Sequence, residues 1–230
     1  MFAYAVRRLL TAIPVVWIAL TVCFFILRLA PGGPFDEERP LPEVILQNLR
    51  AHYNLDKPLY EQYFIYLSGV LQGDLGPSFA VEDFTVSELI MLGMPYTFVL
   101  GGAAWILAIL VGVISGVFAA LHQNRWPDIA ISLVIMIGLI FPTFLVAPVL
   151  QLIFGVNLGW LPVGGWGDGS PSFLVLPVIV LALPHAARIS RLMRGSMIEV
   201  LGTSYIRSAR AKGIGERLVV ARHAIKPALL

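Results

Sequence analysis

The sequence predicts an all-α, polytopic helical membrane protein with four spans and both ends of the chain in the cytoplasm. Three observations predict it. Hydrophobic residues make up 58% of the chain against 13% charged, with a mean hydropathy of +0.83, far above a water-soluble domain. The apolar residues gather into long runs free of Asp, Glu, Lys and Arg. The charges between those runs alternate in sign, basic then acidic, as the positive-inside rule requires of one face and not the other.

Each element follows in order. Residues 1–8 carry Arg7 and Arg8 and form a cytoplasmic N-terminus. Residues 9–30 form the first span, whose charge-free core Leu9–Leu27 reaches about 28 Å as a helix, close to the ~30 Å hydrocarbon thickness. This run is longer than a signal-peptide core and no A-x-A site follows it, so it is expected to stay uncleaved. The lone cysteine, Cys23, falls inside the span, where core packing is the expected role. Residues 31–95 form an external acidic cap, with ten acids against Arg39, Arg50 and Lys57. Within it, Leu41-Pro42-Glu43 predicts a helix to about His52. Asp56-Lys57-Pro58 opens a second, with Tyr63, Phe64, Leu67 and Leu71 at helical spacing until Gly73. Thr85 and Glu88 have the spacing of a capping box leading into the next run.

Residues 96–121 form the second span, 122–128 a cytoplasmic loop with Arg125, and 129–156 the third span. Residues 157–172 form an external loop with Trp160 and Trp166, 173–187 the fourth span, and 188–230 a basic cytoplasmic segment. In the second span Ala104, Ala108, Gly112, Gly116 and Ala120 recur every four residues and line one helix face, which lets another backbone approach closely. Two readings are open there: packing within this subunit or against a second copy, and a helix lining a translocation path. Pro142 and Pro148 in the third span, and Pro177 and Pro184 in the fourth, remove backbone donors and kink helices.

Absent motifs narrow the function. No span carries an Asp, Glu or Lys of the kind an ion-coupled carrier uses as a relay. Arg28 and His185 are expected near span ends. There is no phosphate-binding G-x-x-x-x-G-K-[ST] loop, no H-E-x-x-H and no G-x-S-x-G, and the four histidines are too scattered for a metal cluster. No catalytic residue, metal or cofactor is expected in this chain.

The basic segment carries nine Lys or Arg against Glu199 and Glu216. Arg188, Arg191 and Arg194 form a stripe at headgroup height, and the helix is expected to run on to Lys212, with Met197, Val200, Leu201 and Tyr205 on its apolar side. Gly213 suits the left-handed residue that ends a helix, and a second helix begins near Glu216, carrying Leu218, Val219, Arg222 and Ile225. A segment that binds lipid heads and a hairpin that docks a protein fit this pattern equally.

The segment resembles the cytoplasmic coupling loop of ABC importer permeases, whose pattern is Glu-Ala-Ala, three residues, then Gly. Arg207-Ser208-Ala209 stands on the triplet, so Ala209 and Gly213 match it strictly. Ala209-Arg210-Ala211-Lys212-Gly213 followed by Arg222-His223-Ala224 is similar to the dipeptide/oligopeptide branch, and within it to the B-type membrane subunits. Further stretches agree: Arg7-Arg8-Leu9-Leu10, Arg28-Leu29-Ala30-Pro31-Gly32, Gly73-Asp74-Leu75-Gly76-Pro77-Ser78-Phe79, Trp160-Leu161-Pro162 and Arg194-Gly195-Ser196-Met197-Ile198-Glu199-Val200-Leu201.

The resemblance implies a type I-like permease fold in the bacterial inner membrane, forming half of a path for oligopeptides. It implies a second permease subunit, two cytosolic ATPase subunits that bind the ATP, an external peptide-binding protein and membrane lipid as partners, with no nucleic acid. It assigns ATPase docking to Tyr205, Arg207, Ser208, Ala209, Arg210 and Gly213, with His223 a helix-packing residue. It also implies two further spans after the loop, so a chain ending at Leu230 is expected to be a fragment or truncated product. The alternative is a membrane scaffold or receptor-like subunit that docks a cytosolic partner without moving a solute.

Overall fold

A computed structural model describes residues 2–29, 47, 54–78, 81 and 83–229. The helices are α1 (Phe2–Leu29), α2 (Leu59–Leu71), α3 (Val86–Leu121), α4 (Trp126–Ile140), α5 (Thr143–Leu150), α6 (Pro171–Leu201), α7 (Ser204–Ala211), α8 (Glu216–Leu218) and α9 (Ile225–Ala228). Gln151–Asn157 and Val219–Ala224 wind as π-helical turns, and Gly167–Gly169 as a 3₁₀ turn. The chain divides into two units, Met1–Met94 and Pro95–Leu230. The helix expected at 41–52 lies outside the described residues, as does Phe79.

In the first unit, α1 is one helix through Pro14 and exposes nearly all of its apolar side chains. Its end meets α2 through aromatic rings: Phe24 stacks on Tyr66 at 5.6 Å and Phe25 on Tyr63 at 5.7 Å. The Thr21 and Tyr63 hydroxyls share a 2.8 Å hydrogen bond, and the Arg28 guanidinium lies 5.6 Å from the Phe24 ring. Cys23, expected in packing, is exposed instead. A helix in lipid has no solvent penalty for an outward thiol, so apolarity alone does not turn it inward.

After α2, Gly73 and Gly76 take φ of +83° and +85°, reversing the chain twice within four residues. The Gly76 amide donates to Asp74 Oδ1 at 2.9 Å, and the Ser87 hydroxyl donates to the Gly73 carbonyl at 3.0 Å. The Ser78 amide donates to the Phe84 carbonyl at 2.9 Å. Thr85 and Glu88 then cap α3 reciprocally, Glu88 N–H to Thr85 Oγ1 at 3.2 Å and Thr85 N–H to Glu88 Oε2 at 2.8 Å.

The second span was expected from residue 96, but α3 starts at Val86 and passes through Pro95 unbroken. Its 36 residues make about 54 Å of helix, well beyond the hydrocarbon core. The third span is not one helix. α4 and the α5–π segment meet at 105°, so among the described residues three helices are long and apolar enough to cross a membrane, or four segments if the bent pair counts as one span. Pro142 causes the break: it lacks an N–H and forces Phe141 before it into an extended conformation, φ −79° and ψ 122°. The fourth span, expected at 173–187, falls in the N-terminal half of the 31-residue α6, which absorbs Pro177 and Pro184 without a break.

Candidate functional site

The basic segment folds as a compact hairpin on the end of α6. The helix expected to continue to Lys212 stops at Leu201. Gly202 and Thr203 turn the chain, the Thr203 hydroxyl and amide both donating to the Val200 carbonyl, at 2.6 and 3.1 Å. Two adjacent poor helix formers, with Thr203 extended at ψ 157°, explain the stop. α7 follows to Ala211, and after Lys212 comes Gly213, whose φ of +79° is the left-handed conformation glycine adopts without strain. The Ile214 amide then reaches back to the Ala209 carbonyl at 3.4 Å, and α8 starts at Glu216.

Apolar residues hold this hairpin shut. Met193 and Met197 from α6, Ile206 and Ala209 from α7, and Val219, Val220, Ala224 and Ala228 beyond the turn form one buried cluster with Ala120 of α3. Met197, Ile206 and Val219 are fully buried, each stabilising the packing by roughly 1.5–3 kcal/mol. The cluster separates the six residues assigned to docking. Ala209 faces inward and is buried, so it shapes the hairpin rather than presenting a surface. Tyr205, Arg207, Ser208, Arg210 and Gly213 are exposed. The Ser208 hydroxyl is already bonded to the Ser204 carbonyl at 3.0 Å. His223 is half-buried.

Arg210 is partnered within the hairpin. Its Nη2 and Nε donate to the two oxygens of Glu216 at 2.6 and 3.0 Å, a fork across the Gly213 turn. The Arg210 guanidinium holds the Glu216 carboxyl below the usual glutamate range, and Glu216 raises Arg210 in return. Arg207, Lys212 and Arg217 stand exposed around this pair. The outward face is therefore basic, with one carboxylate already neutralised.

The small-residue stripe ties α3 to α6. Ala104, Ala108, Gly112, Gly116 and Ala120 are all buried. A Cβ at Gly112 would meet Ile189 Cβ at 2.7 Å and the Ala186 carbonyl at 2.9 Å. At Gly116 it would meet the Ser190 carbonyl at 2.6 Å. The Ser115 hydroxyl donates to Ser190 Oγ at 2.7 Å beside these contacts, satisfying a polar group in an apolar seam.

Sequence reasoning missed one feature. Asp128, in the first turn of α4, takes a bidentate bond from Arg194 of α6, Nε to Oδ1 at 2.6 Å and Nη2 to Oδ2 at 2.7 Å. The Asp128 side chain is only 4% exposed, and Oδ2 also accepts the Asn124 amide at 2.9 Å. Arg194 therefore leaves the expected headgroup stripe, while Arg188 and Arg191 remain exposed. An acid three residues after the loop's Asn124-Arg125 pair, with arginines on α6, was the available signal, but 66 positions separate the partners. His185, expected near a span end, lies near the middle of α6, its ring stacked on Trp105 at 5.2 Å. Among the described residues no three His, Cys, Asp or Glu side chains gather as a metal site.

Comparison with known proteins places this architecture. The family described as the binding-protein-dependent transport system inner membrane component matches residues 109–230, which include α4, α6 and the hairpin. The oligopeptide transport system permease protein OppB of Salmonella typhimurium is 48% identical over all of this chain and 75% of its own length. Its namesake in Haemophilus influenzae is 47% identical over the same shares. The dipeptide transport system permease protein DppB of Bacillus subtilis is 37% identical over all of this chain and 74% of its own. With the three long apolar helices, the bent pair and these relatives together, the chain belongs to the family of binding-protein-dependent transport system inner membrane components, as a non-catalytic permease subunit.

Proposed function

We propose that the chain is a membrane subunit of an ATP-driven oligopeptide importer. Identity of 48% to a named oligopeptide permease, sustained over the whole chain, supports the substrate class. The observation that carries the mechanism is the hairpin: a closed apolar core on the end of α6, with Tyr205, Arg207, Ser208 and Arg210 turned outward around Gly213. Such an element transmits force, because it is rigid within and continuous with a spanning helix. Its partner is a cytosolic ATPase, one of a pair that binds the ATP this chain has no loop to hold. A second permease subunit completes the path, and an external binding protein delivers peptide. The Arg210–Glu216 fork fixes the turn, so that Arg207 and Tyr205 meet the ATPase surface at a set angle.

Gly213→Val tests the reading. A β-branched residue in the left-handed region costs about 1–2 kcal/mol or more and distorts the turn. Gly215→Ala is the control, since Gly215 has an ordinary φ of −60° and open space around it. In the assembled complex, Gly213→Val is expected to lose ATPase co-purification and peptide uptake together, while Gly215→Ala retains both. Normal recruitment and uptake in the valine variant would sink the docking role. Normal recruitment by a wild-type complex that never accumulates peptide would favour the scaffold alternative.

A further inference from the structure

The attachments of α3 and α4 to α6 differ in kind. α3 meets α6 nearly backbone to backbone at Gly112 and Gly116, and through Ala120 it enters the same cluster as Met193, Met197 and the hairpin. Helices packed this closely move as a block. α4 lies along α6, with Asp128, Ile135 and Gly138 buried and two close attachments near its ends. One is Gly138, where an added Cβ would meet Leu183 at 3.3 Å and Ala187 at 3.5 Å. The other is the Asp128–Arg194 fork at the start of α4. Between them lies an open pocket of about 260 Å³, lined by Val111, Ile131, Ile135, Ala186 and Ser190 among others. At its far end α4 meets the Phe141–Pro142 joint, where the chain turns by 105°.

We infer that Asp128 and Arg194 are a positioning pair, a strut that hands displacement of the hairpin to α4 and swings it about the Phe141–Pro142 joint. Arg194 lies one helical turn from Met197 and next to Met193, both in the hairpin cluster, so its backbone follows the hairpin. The planar fork fixes angle as well as distance, which a single point charge does not. The Asn124 amide holds the carboxylate from the α4 side, so the strut is anchored at both ends. Its burial keeps the fork closed, because parting the charges leaves an uncompensated carboxylate out of water. This inference rests on the docking reading above.

The test uses the complete importer, with the full-length permease, its second permease, ATPases and binding protein, reconstituted in lipid vesicles. ATP hydrolysis and accumulation of radiolabelled tetra-alanine are measured together, normalised to assembled complex. Asp128→Asn keeps the shape and removes the charge. It is expected to hydrolyse ATP near the wild-type rate while ATP used per peptide rises about 2- to 30-fold. Arg194→Lys, which keeps charge and loses the fork, is expected to fall between. The Asp128→Arg/Arg194→Asp exchange is expected to return the ratio towards wild type. A purely structural pair would lower hydrolysis and uptake in parallel with the amount of complex, and an unchanged ratio in Asp128→Asn overturns the strut. A wild-type complex that hydrolyses ATP without accumulating peptide overturns the functional reading, and the strut with it.

Discussion

Gly116→Ala places one methyl group where the structure has no room. Its Cβ would lie 2.6 Å from the Ser190 carbonyl oxygen, 2.8 Å from Met193 Cβ and 3.1 Å from the Arg194 nitrogen. Two of these are backbone atoms, so no side-chain rotation relieves the clash. Reaching ordinary contact at 3.4 Å requires α3 and α6 to part by about 0.8 Å, the difference between 3.4 and 2.6 Å. Overpacking of this kind costs about 1–3 kcal/mol. For a chain of this size that corresponds to a fall of roughly 2–12 °C in the unfolding midpoint. Gly101→Ala and Gly102→Ala on the same helix meet nothing within 4 Å and serve as matched controls. Thermal unfolding of the purified protein in mild detergent, followed by circular dichroism, separates the cases. A Gly116→Ala midpoint equal to that of Gly101→Ala would refute the claim that the α3–α6 seam is closed by direct backbone contact.

Two smaller effects follow from the termini of helices. Thr85→Ala removes half of the capping box, and the first turn of α3 is expected to open about 2- to 30-fold more often, read as faster amide exchange at 86–88 with no change along 104–120. Glu216→Gln removes the Arg210 fork from a carboxylate that is 54% exposed, so solvent screening keeps the loss within about 1 kcal/mol at neutral pH. The Glu216 carboxyl is depressed in the folded state, so its contribution is present above the ordinary glutamate value near 4.3 and disappears as pH falls through its lower folded value. Unfolding measured at pH 7 and again in acid should therefore show the wild-type advantage shrink; a difference that grows in acid would contradict the assignment.

Local signals in the sequence carried far, and long-range ones did not. The positions of α1, α3 and α6 were legible because a charge-free run of sufficient length has few alternatives in lipid. Gly213, the Thr85–Glu88 box and the start of α8 were legible because each depends on residues within a few positions. The bend at Pro142 was visible as a kink, but its size was not, since neighbouring helices and not the proline alone set an angle of 105°. The end of α6 at Leu201 was missed because Gly202-Thr203 is a weak local stop inside a long periodic pattern. The Asp128–Arg194 fork was hidden for a different reason. Nothing local distinguishes Arg194 from Arg188 and Arg191; only the arrival of α4 alongside α6 gives one of the three a buried carboxylate. Among the residues expected to dock, the inward turn of Ala209 required knowing that the hairpin folds back on itself.

That inward turn divides the labour of the hairpin between two sets of residues. Ala209 and Gly213, the two strict matches to the family's pattern, fill the core and reverse the chain. Tyr205, Arg207, Ser208 and Arg210 sit on the other side of the backbone and touch little of that core. Form and address are thus written in different letters of the same short segment. On the docking reading proposed above, rewriting the outer letters alone would readdress the segment, because the buried letters that hold its fold would stay as they are.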